Sequence, residues 1–257
     1  MIDFERKEVY GVDDLVLLFR LLRSEGGCPW DRAQTHASIR RNMIEEAYEA
    51  AEAIDSGDAD RLRDELGDVL MQVVLHSQME AEDGGFSLDD VADSACRKLI
   101  ARHPHLFGEA DAPVDWEELK RQQRGQELQS DAMDGVSRAL PALWQADKLQ
   151  AKAARTGFDW PDPVRGCDKI DEELSEFRRA LQGDGDPREE LGDLLFAAVS
   201  AGRLAGIDPE EALIAACAKF RRRFRAVEEA AAGMDRPLSA MTLEELIALW
   251  TAAKEKT

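Results

Sequence analysis

Apolar residues recur every three or four positions through most of the 257-residue chain. That spacing lays them on one helix face, and no segment shows the period of two that marks a half-buried strand. Leu15, Leu18, Phe19 and Leu22 form the first stripe, which Asp13 or Asp14 can open as a cap and Gly26-Gly27 closes. A second helix is predicted from about Ser38 to Asp55, with Ile39, Met43, Ala47, Ala50 and Ile54 inward and Gly57 as its stop. A third begins near Asp58 and carries Leu62, Leu66, Val69, Val73 and Leu75 toward Gly84-Gly85. Ser87, with Asp90 three residues on, has the form of a capping box. It opens a fourth helix through Val91, Ala95 and Leu99 that closes before Pro104.

Residues 114–129 are very polar and read as an exposed connecting helix. Pro141 suits the first turn of a helix bearing Leu143, Trp144 and Leu149. After Gly157-Phe158-Asp159-Trp160-Pro161 the earlier order returns. One helix carries Ile170, Leu174 and Phe177; a Gly-Asp turn follows at 183–187; the next helix carries Leu191, Leu194, Leu195 and Val199. Another runs from Pro209 into a basic cluster, and Thr242 with Glu245 caps a last helix holding Leu246, Leu249 and Trp250. The landmarks recur in order: EExxE, a Gly-Asp turn, ELGD and Lys-x-x-x-Arg, the last at Lys98 and Arg102 and again at Lys219 and Arg223. The repeat is too long for a solenoid. An all-α chain of two tandem helical bundles is expected, residues 1–130 and 131–257, with the boundary near 125–140.

Glu45-Glu46-x-x-Glu49 precedes Glu65-Leu66-Gly67-Asp68, and Glu172-Glu173-x-x-Glu176 precedes Glu190-Leu191-Gly192-Asp193. Acids three or four apart project from one helix face, so each half offers two helices whose carboxylates can converge. Two carboxylates about 5 Å apart at an effective dielectric near 20 repel by roughly 3 kcal/mol. Four of them together rival the stability of a domain, about 5–15 kcal/mol. Such a group is either a pair of solvated faces or a site for hard divalent cations, which prefer oxygen donors. The ordered recurrence favours the cation.

The chain carries 53 acidic against 33 basic residues, a formal charge of −20, which disfavours nucleic acid and anionic membranes as partners. A small phosphorylated substrate stays admissible, because bound metal inverts the local sign. The run Lys219–Arg225 is the densest basic cluster and reads either as a solvated face with two aromatic core anchors or as a phosphate clamp. No apolar run is long enough to span a bilayer, and the first residues lack a signal-peptide pattern. Cys28, Cys96, Cys167 and Cys217 form no CxxC pair and suit reduced thiols in a cytoplasmic protein. His36, His76, His103 and His105 fit no Glu-x-x-His bundle motif and read as capping, turn or surface residues. Glycine-rich phosphate loops and Ser-His-Asp or Cys-His arrangements are absent.

Cys28-Pro29-Trp30-Asp31, Gln34-Thr35-His36, the EExYE at Glu45–Glu49 and the ELGDVLMQVVLHSQ from Glu65 together resemble the MazG family. Arg102-His103-Pro104-His105-Leu106-Phe107, Gly157–Trp160 and Lys219–Glu228 extend the likeness over nearly the whole chain. The resemblance implies an all-α, usually homodimeric, Mg²⁺-dependent (Mn²⁺ being possible) nucleoside triphosphate pyrophosphohydrolase. It cuts between the α and β phosphates, with the main activity in the C-terminal half. By resemblance, Glu173, Glu176, Glu190 and Asp193 match metal-ligand positions, and Lys169, Glu172, Glu189, Lys219, Arg223 and Trp250 match nucleotide-site positions. Glu172 or Glu189 is the expected proton acceptor, with the choice open. Trp250 stacks on a base or anchors the core. Glu46, Glu49, Glu65 and Asp68 form a second metal cluster. The rival readings are a narrow dUTP or phosphoribosyl-ATP pyrophosphohydrolase and a non-catalytic helical dimerisation module.

Overall fold

The computed structural model describes residues 4–108 and 133–255, and all regular structure among them is helical. The connecting helix expected over 114–129 lies outside the described residues. The chain divides by its contacts into an N-terminal unit within residues 1–119 and a C-terminal unit within 120–257.

In the N-terminal unit the helices are α1 (Val12–Arg23), α2 (Pro29–Ala33), α3 (His36–Ser56), α4 (Ala59–Glu82), α5 (Leu88–Arg102) and α6 (Pro104–Phe107). Gly11 rather than an aspartate occupies the cap of α1, and Asp14 reaches back to accept the Gly11 N–H at 3.0 Å. Helix α3 starts two residues earlier than the apolar stripe suggests. Thr35 Oγ1 accepts the Ser38 N–H, and Ser38 Oγ accepts the Thr35 N–H at 2.9 Å, so two otherwise unpaired donors are satisfied reciprocally. Gly57 ends it at φ +69, a left-handed conformation that costs other residues about 1–2 kcal/mol. Asp58 and Ser87 cap α4 and α5 through side-chain oxygens, the latter with Asp90 as the partner the sequence suggests. Helix α2 is a single turn that Pro29 starts at N1, where a missing N–H costs nothing.

Helices α3 and α1 pack on α4. Phe19, Ile39, Val74, Leu75 and Met79 are buried between them, with Leu15, Val16, Leu22 and Leu88 around the rim. Arg23 ties the assembly from one end: its guanidinium donates to Glu82 at 2.8 Å and to the Gln34 carbonyl at 3.3 Å.

The C-terminal unit holds α7 (Ala142–Ala154), α8 (Pro163–Ala180), α9 (Pro187–Leu204), α10 (Pro209–Gly233), a 3₁₀ turn (Leu238–Ala240) and α11 (Leu243–Glu255). Three of these open on the same local code. Asp162-Pro163, Asp186-Pro187 and Asp208-Pro209 each place a carboxylate at the cap, accepting first-turn N–H groups, and a proline at N1. Helix α8 packs most closely on α9, α9 and α10 both touch α7, and α11 lies on α10.

Several residues expected inside are exposed. Met43, Ile54, Leu66 and Leu99 in the first unit, and Leu191, Leu195, Phe220 and Phe224 in the second, keep at least 40% of their surface open. Periodicity identifies an apolar stripe, but each helix has neighbours over only part of its circumference, so part of the stripe stays uncovered.

Truncating Ile39, 2% exposed, to alanine should cost about 2–5 kcal/mol of unfolding free energy in urea titrations. A second expectation concerns Glu245. Its hydrogen bond from Arg236, then that from the Thr242 N–H, hold its carboxyl down at about 2. The unfolded chain takes up that proton more readily. Stability from this group is therefore present above about pH 4.5 and lost as pH falls toward 2. Glu245→Gln should unfold at lower denaturant than the parent at neutral pH, with the gap closing in acid; a gap independent of pH would contradict the coupling.

Candidate active site

Helices α8 and α9 are joined by the short 181–186 turn, where Gly183 and Gly185 take φ +99 and +116. Only glycine enters these conformations without strain, so the turn can fold the two helices against one another. Glu173 projects from the middle of α8; Glu190 and Asp193 lie in the first two turns of α9. One carboxylate oxygen from each falls within 4.8 Å of the others. Glu173 is buried, Glu190 half-buried and Asp193 exposed. Lys169, one turn before Glu173, places its Nζ 2.6 Å from that carboxylate and 2.9 Å from Glu172. Those two hydrogen bonds, Glu173 first, push the Lys169 pKa upward.

The lysine does not neutralise the group. Burial, and then the charges of Glu176, Glu173, Asp193 and Glu189, raise the Glu190 pKa above the ordinary carboxylate range. Glu176 stands outside the three-oxygen cluster and pairs with Arg179 on the same helix at 3.0 Å, though its charge still acts on Glu190. Glu172 is held by Lys169, whereas Glu189 makes no hydrogen bond or ion pair with any described residue.

The N-terminal unit repeats this arrangement on α3 and α4. Glu46, Glu49 and Glu65 bring their oxygens within 4.8 Å, and Asp68 stands outside that set. Burial and then the Asp68, Glu49 and Glu65 charges raise the Glu46 pKa. Asn42 occupies the position one turn before Glu46 where the second half has Lys169. Arg61 instead lies 3.6 Å from Glu65 and is also paired with Glu52.

A cavity of about 580 Å³ adjoins the C-terminal cluster and shares Lys169, Glu173 and Asp193 with it. Its other walls include Phe158, Trp160, Phe196, Gln150, Ser200 and Arg203. Asp159 fixes the Phe158–Trp160 segment by accepting two hydrogen bonds from Arg203, and that guanidinium holds the Asp159 carboxyl below its usual range. Gln150 is 8% exposed and its Nε2 donates to the Phe196 carbonyl at 2.8 Å. Its Oε1 is buried with no hydrogen-bond partner among the described residues, a situation that costs about 1–3 kcal/mol unless a donor is supplied.

Sequence reasoning gave these aromatic and amide residues no role. Phe158 and Trp160 served only as landmarks, and Phe196 has the spacing of an ordinary helix-core residue. The signal within reach was the pair of aromatics flanking Asp159 ahead of a capped helix.

Lys219 and Arg223 lie one turn apart on α10, the first exposed and the second half-buried. Trp250 on α11 packs against Phe220, ring centroids 5.2 Å apart, and Phe220 stacks on Phe224 at 6.0 Å. None of Lys219, Arg223 and Trp250 lines the cavity. Among the histidines, His36 and His76 pair through their Nδ1 atoms at 2.7 Å, and His36 Nε2 meets Glu80 at 3.1 Å. The four cysteines are all free.

The profile described as the MazG nucleotide pyrophosphohydrolase domain matches residues 34–107 and again 167–227. Those stretches contain both acidic clusters. The chain is 43% identical over 249 residues to the nucleoside triphosphate pyrophosphohydrolase/pyrophosphatase MazG of Thermotoga maritima, covering 94% of this chain and 95% of that one. It is 40% identical over 256 residues to the nucleoside triphosphate pyrophosphohydrolase of Escherichia coli K12, covering 95% and 97% respectively. An uncharacterized Bacillus subtilis protein, YabN, matches at 43% over 247 residues, which is 93% of this chain and 50% of that longer protein. With its paired carboxylate helices in both halves and this likeness along nearly its whole length, the chain belongs to the MazG family, whose domain it carries twice.

Proposed function

We propose that the protein hydrolyses nucleoside triphosphates between the α and β phosphates, releasing a nucleoside monophosphate and pyrophosphate, as housecleaning of the nucleotide pool. The observation that carries this reading is the convergence of Glu173, Glu190 and Asp193 within 4.8 Å beside Lys169. An all-oxygen donor set with adjacent negative charges suits Mg²⁺, or Mn²⁺ in its place. Glu173, Glu190 and Asp193 would hold the ion, joined by Glu176 once it leaves Arg179. A bound ion would neutralise phosphate charge and so let a polyanion approach an acidic cleft.

The remaining roles belong to other side chains. Glu189, exposed beside Glu190 and without a hydrogen bond or ion pair among the described residues, accepts the proton of the attacking water as the water oxygen bonds to the α phosphorus and the bond to the bridging oxygen breaks, releasing pyrophosphate. Glu172 is the weaker choice of base because it holds Lys169. Lys169 offers a positive charge at the cluster, and Lys219 with Arg223 is suited to the β and γ phosphates, where charge accumulates as pyrophosphate departs. The C-terminal half, about residues 131–257, is the main catalytic unit. The N-terminal cluster of Glu46, Glu49, Glu65 and Asp68, with Asn42 in place of a lysine, binds metal more readily than it turns over substrate.

A homodimer is part of this reading. The uncovered apolar residues Met43 and Ile44 on α3, Leu66 and Leu70 on α4, and Leu191 and Leu195 on α9 are the surfaces a second copy would bury. The four free cysteines agree with a cytoplasmic setting, and no described helix is long and apolar enough to cross a membrane.

Glu190→Gln should lower pyrophosphate release by about two orders of magnitude or more while the circular dichroism of the folded chain is retained. Turnover at the parent rate would remove the assignment. Mg²⁺ at about 100 times its dissociation constant should stabilise the parent by roughly 2.7 kcal/mol, read as a rise in melting temperature. Combined replacement of Glu173, Glu190 and Asp193 by their amides should shrink that rise; an equal rise would place the ion elsewhere.

A further inference from the structure

We propose that Arg179 is a positioning residue for the metal: it holds the Glu176 carboxylate away from Glu173, Glu190 and Asp193, and so lowers the affinity of the C-terminal cluster for a divalent cation. The inference rests on the metal reading above and deepens it.

The two halves of the chain differ at one informative place. Glu49 and Glu176 hold the same position in the EExxE motif, one turn past Glu46 and Glu173. In the first half Glu49 brings an oxygen within 4.8 Å of Glu46 and Glu65. In the second, Glu176 stays outside and Asp193 supplies the third oxygen instead. Three residues further along the helix the first half has Glu52 and the second has Arg179. An anion at that place cannot bond Glu49, and Glu52 pairs with Arg61. Arg179 Nη2 donates to Glu176 Oε1 at 3.0 Å.

Local geometry supports this pairing. Side chains on a helix lean toward its N-terminus, so a long residue at 179 lies over the turn that holds residue 176. The backbone there is fixed, because the Arg179 carbonyl accepts the Gln182 N–H at 2.9 Å and the Asp184 N–H at 3.2 Å. A cation in the last turn of α8 also meets the negative end of the helix dipole. Glu176 is nevertheless within range of the cluster. It lies one turn from Glu173, and among the described residues its charge is the strongest of those acting on Glu190.

The pair is open to exchange. The Arg179 and Glu176 side chains are 58% and 35% exposed, so water screens their attraction. A doubly charged ion attracts the carboxylate more strongly than a single guanidinium does at the same distance. Holding one donor back weakens the grip of the cluster, so that loading leans on the oxygens that the phosphates themselves supply.

The test is Mg²⁺ binding by the full chain, followed by calorimetry without nucleotide. Glu46→Gln and Glu65→Gln are present throughout, so that the C-terminal cluster alone is read. Arg179→Met should tighten Mg²⁺ binding by about two- to fivefold, the range an exposed ion pair supplies. The Mg²⁺ concentration giving half-maximal pyrophosphate release from ATP should fall by a similar factor. Arg179→Lys, which still reaches Glu176, should bind as the parent does. Arg178→Met is the control: it removes the same charge from the same turn, yet residues two apart do not face each other on a helix. Its affinity should stay near the parent value. Both arginines are exposed, so neither change touches the core. In a Glu176→Gln background, Arg179→Met should alter nothing. Equal tightening in Arg178→Met would reduce the effect to net charge and overturn the role of Arg179. Tightening without Glu176, or parent-like affinity in Arg179→Met, would overturn it too while leaving the metal reading intact. A parent that takes up no Mg²⁺ would reject the metal reading itself, and this inference with it.

Discussion

Carboxylates held against their own repulsion govern the C-terminal unit. Glu173, Glu190 and Asp193 share a space that three negative charges would not occupy unaided. Each close pair of like charges opposes folding. Two things offset this in the protein itself: the tight seam between α8 and α9, and a lysine one turn before the buried acid. The chain commits conformational stability to a concentrated negative charge. The uncovered aromatics beside the cluster have the same character, since their solvation is relieved only when something else covers them.

The two halves show how one substitution alters such a cluster. Both bring three acids within the same distance, and both leave the fourth member of the motif outside. In the second half Lys169 touches Glu173; in the first, Asn42 stands there, and Arg61 serves Glu65 and Glu52 from another direction. Burial and then the charges of Asp68, Glu49 and Glu65 raise the Glu46 pKa, as burial and neighbouring acids raise that of Glu190. A shared backbone design thus yields two electrostatic environments, with the difference residing in a residue adjacent to the motif rather than in the motif.

Much of this was legible in sequence because it is local. Helix starts at Asp58, Ser87, Asp186 and Thr242 follow from side-chain oxygens next to first-turn N–H groups, which involve only a few consecutive residues. The i, i+3 and i, i+4 spacing of the acids likewise fixes a face. What escaped depends on contacts across the chain. Periodicity marks Met43, Leu66 and Leu195 as apolar-face residues without revealing that 40% or more of their surface stays open. Glu176 has the spacing of a ligand, yet Arg179 three residues on competes for it. Phe158 and Phe196 are 38 positions apart in sequence, so their common cavity could be seen only after α7, α8 and α9 had assembled.

The Asp-Pro starts of α8, α9 and α10 carry a further consequence. Proline at N1 and the aspartate before it specify where helical winding begins, whatever precedes them. Glu190 and Asp193 lie three and six residues past Pro187, so their angular position about the α9 axis is counted from that point. The 181–186 turn sets how α9 meets α8, whereas the placing of the two acids on one face is set within α9 itself.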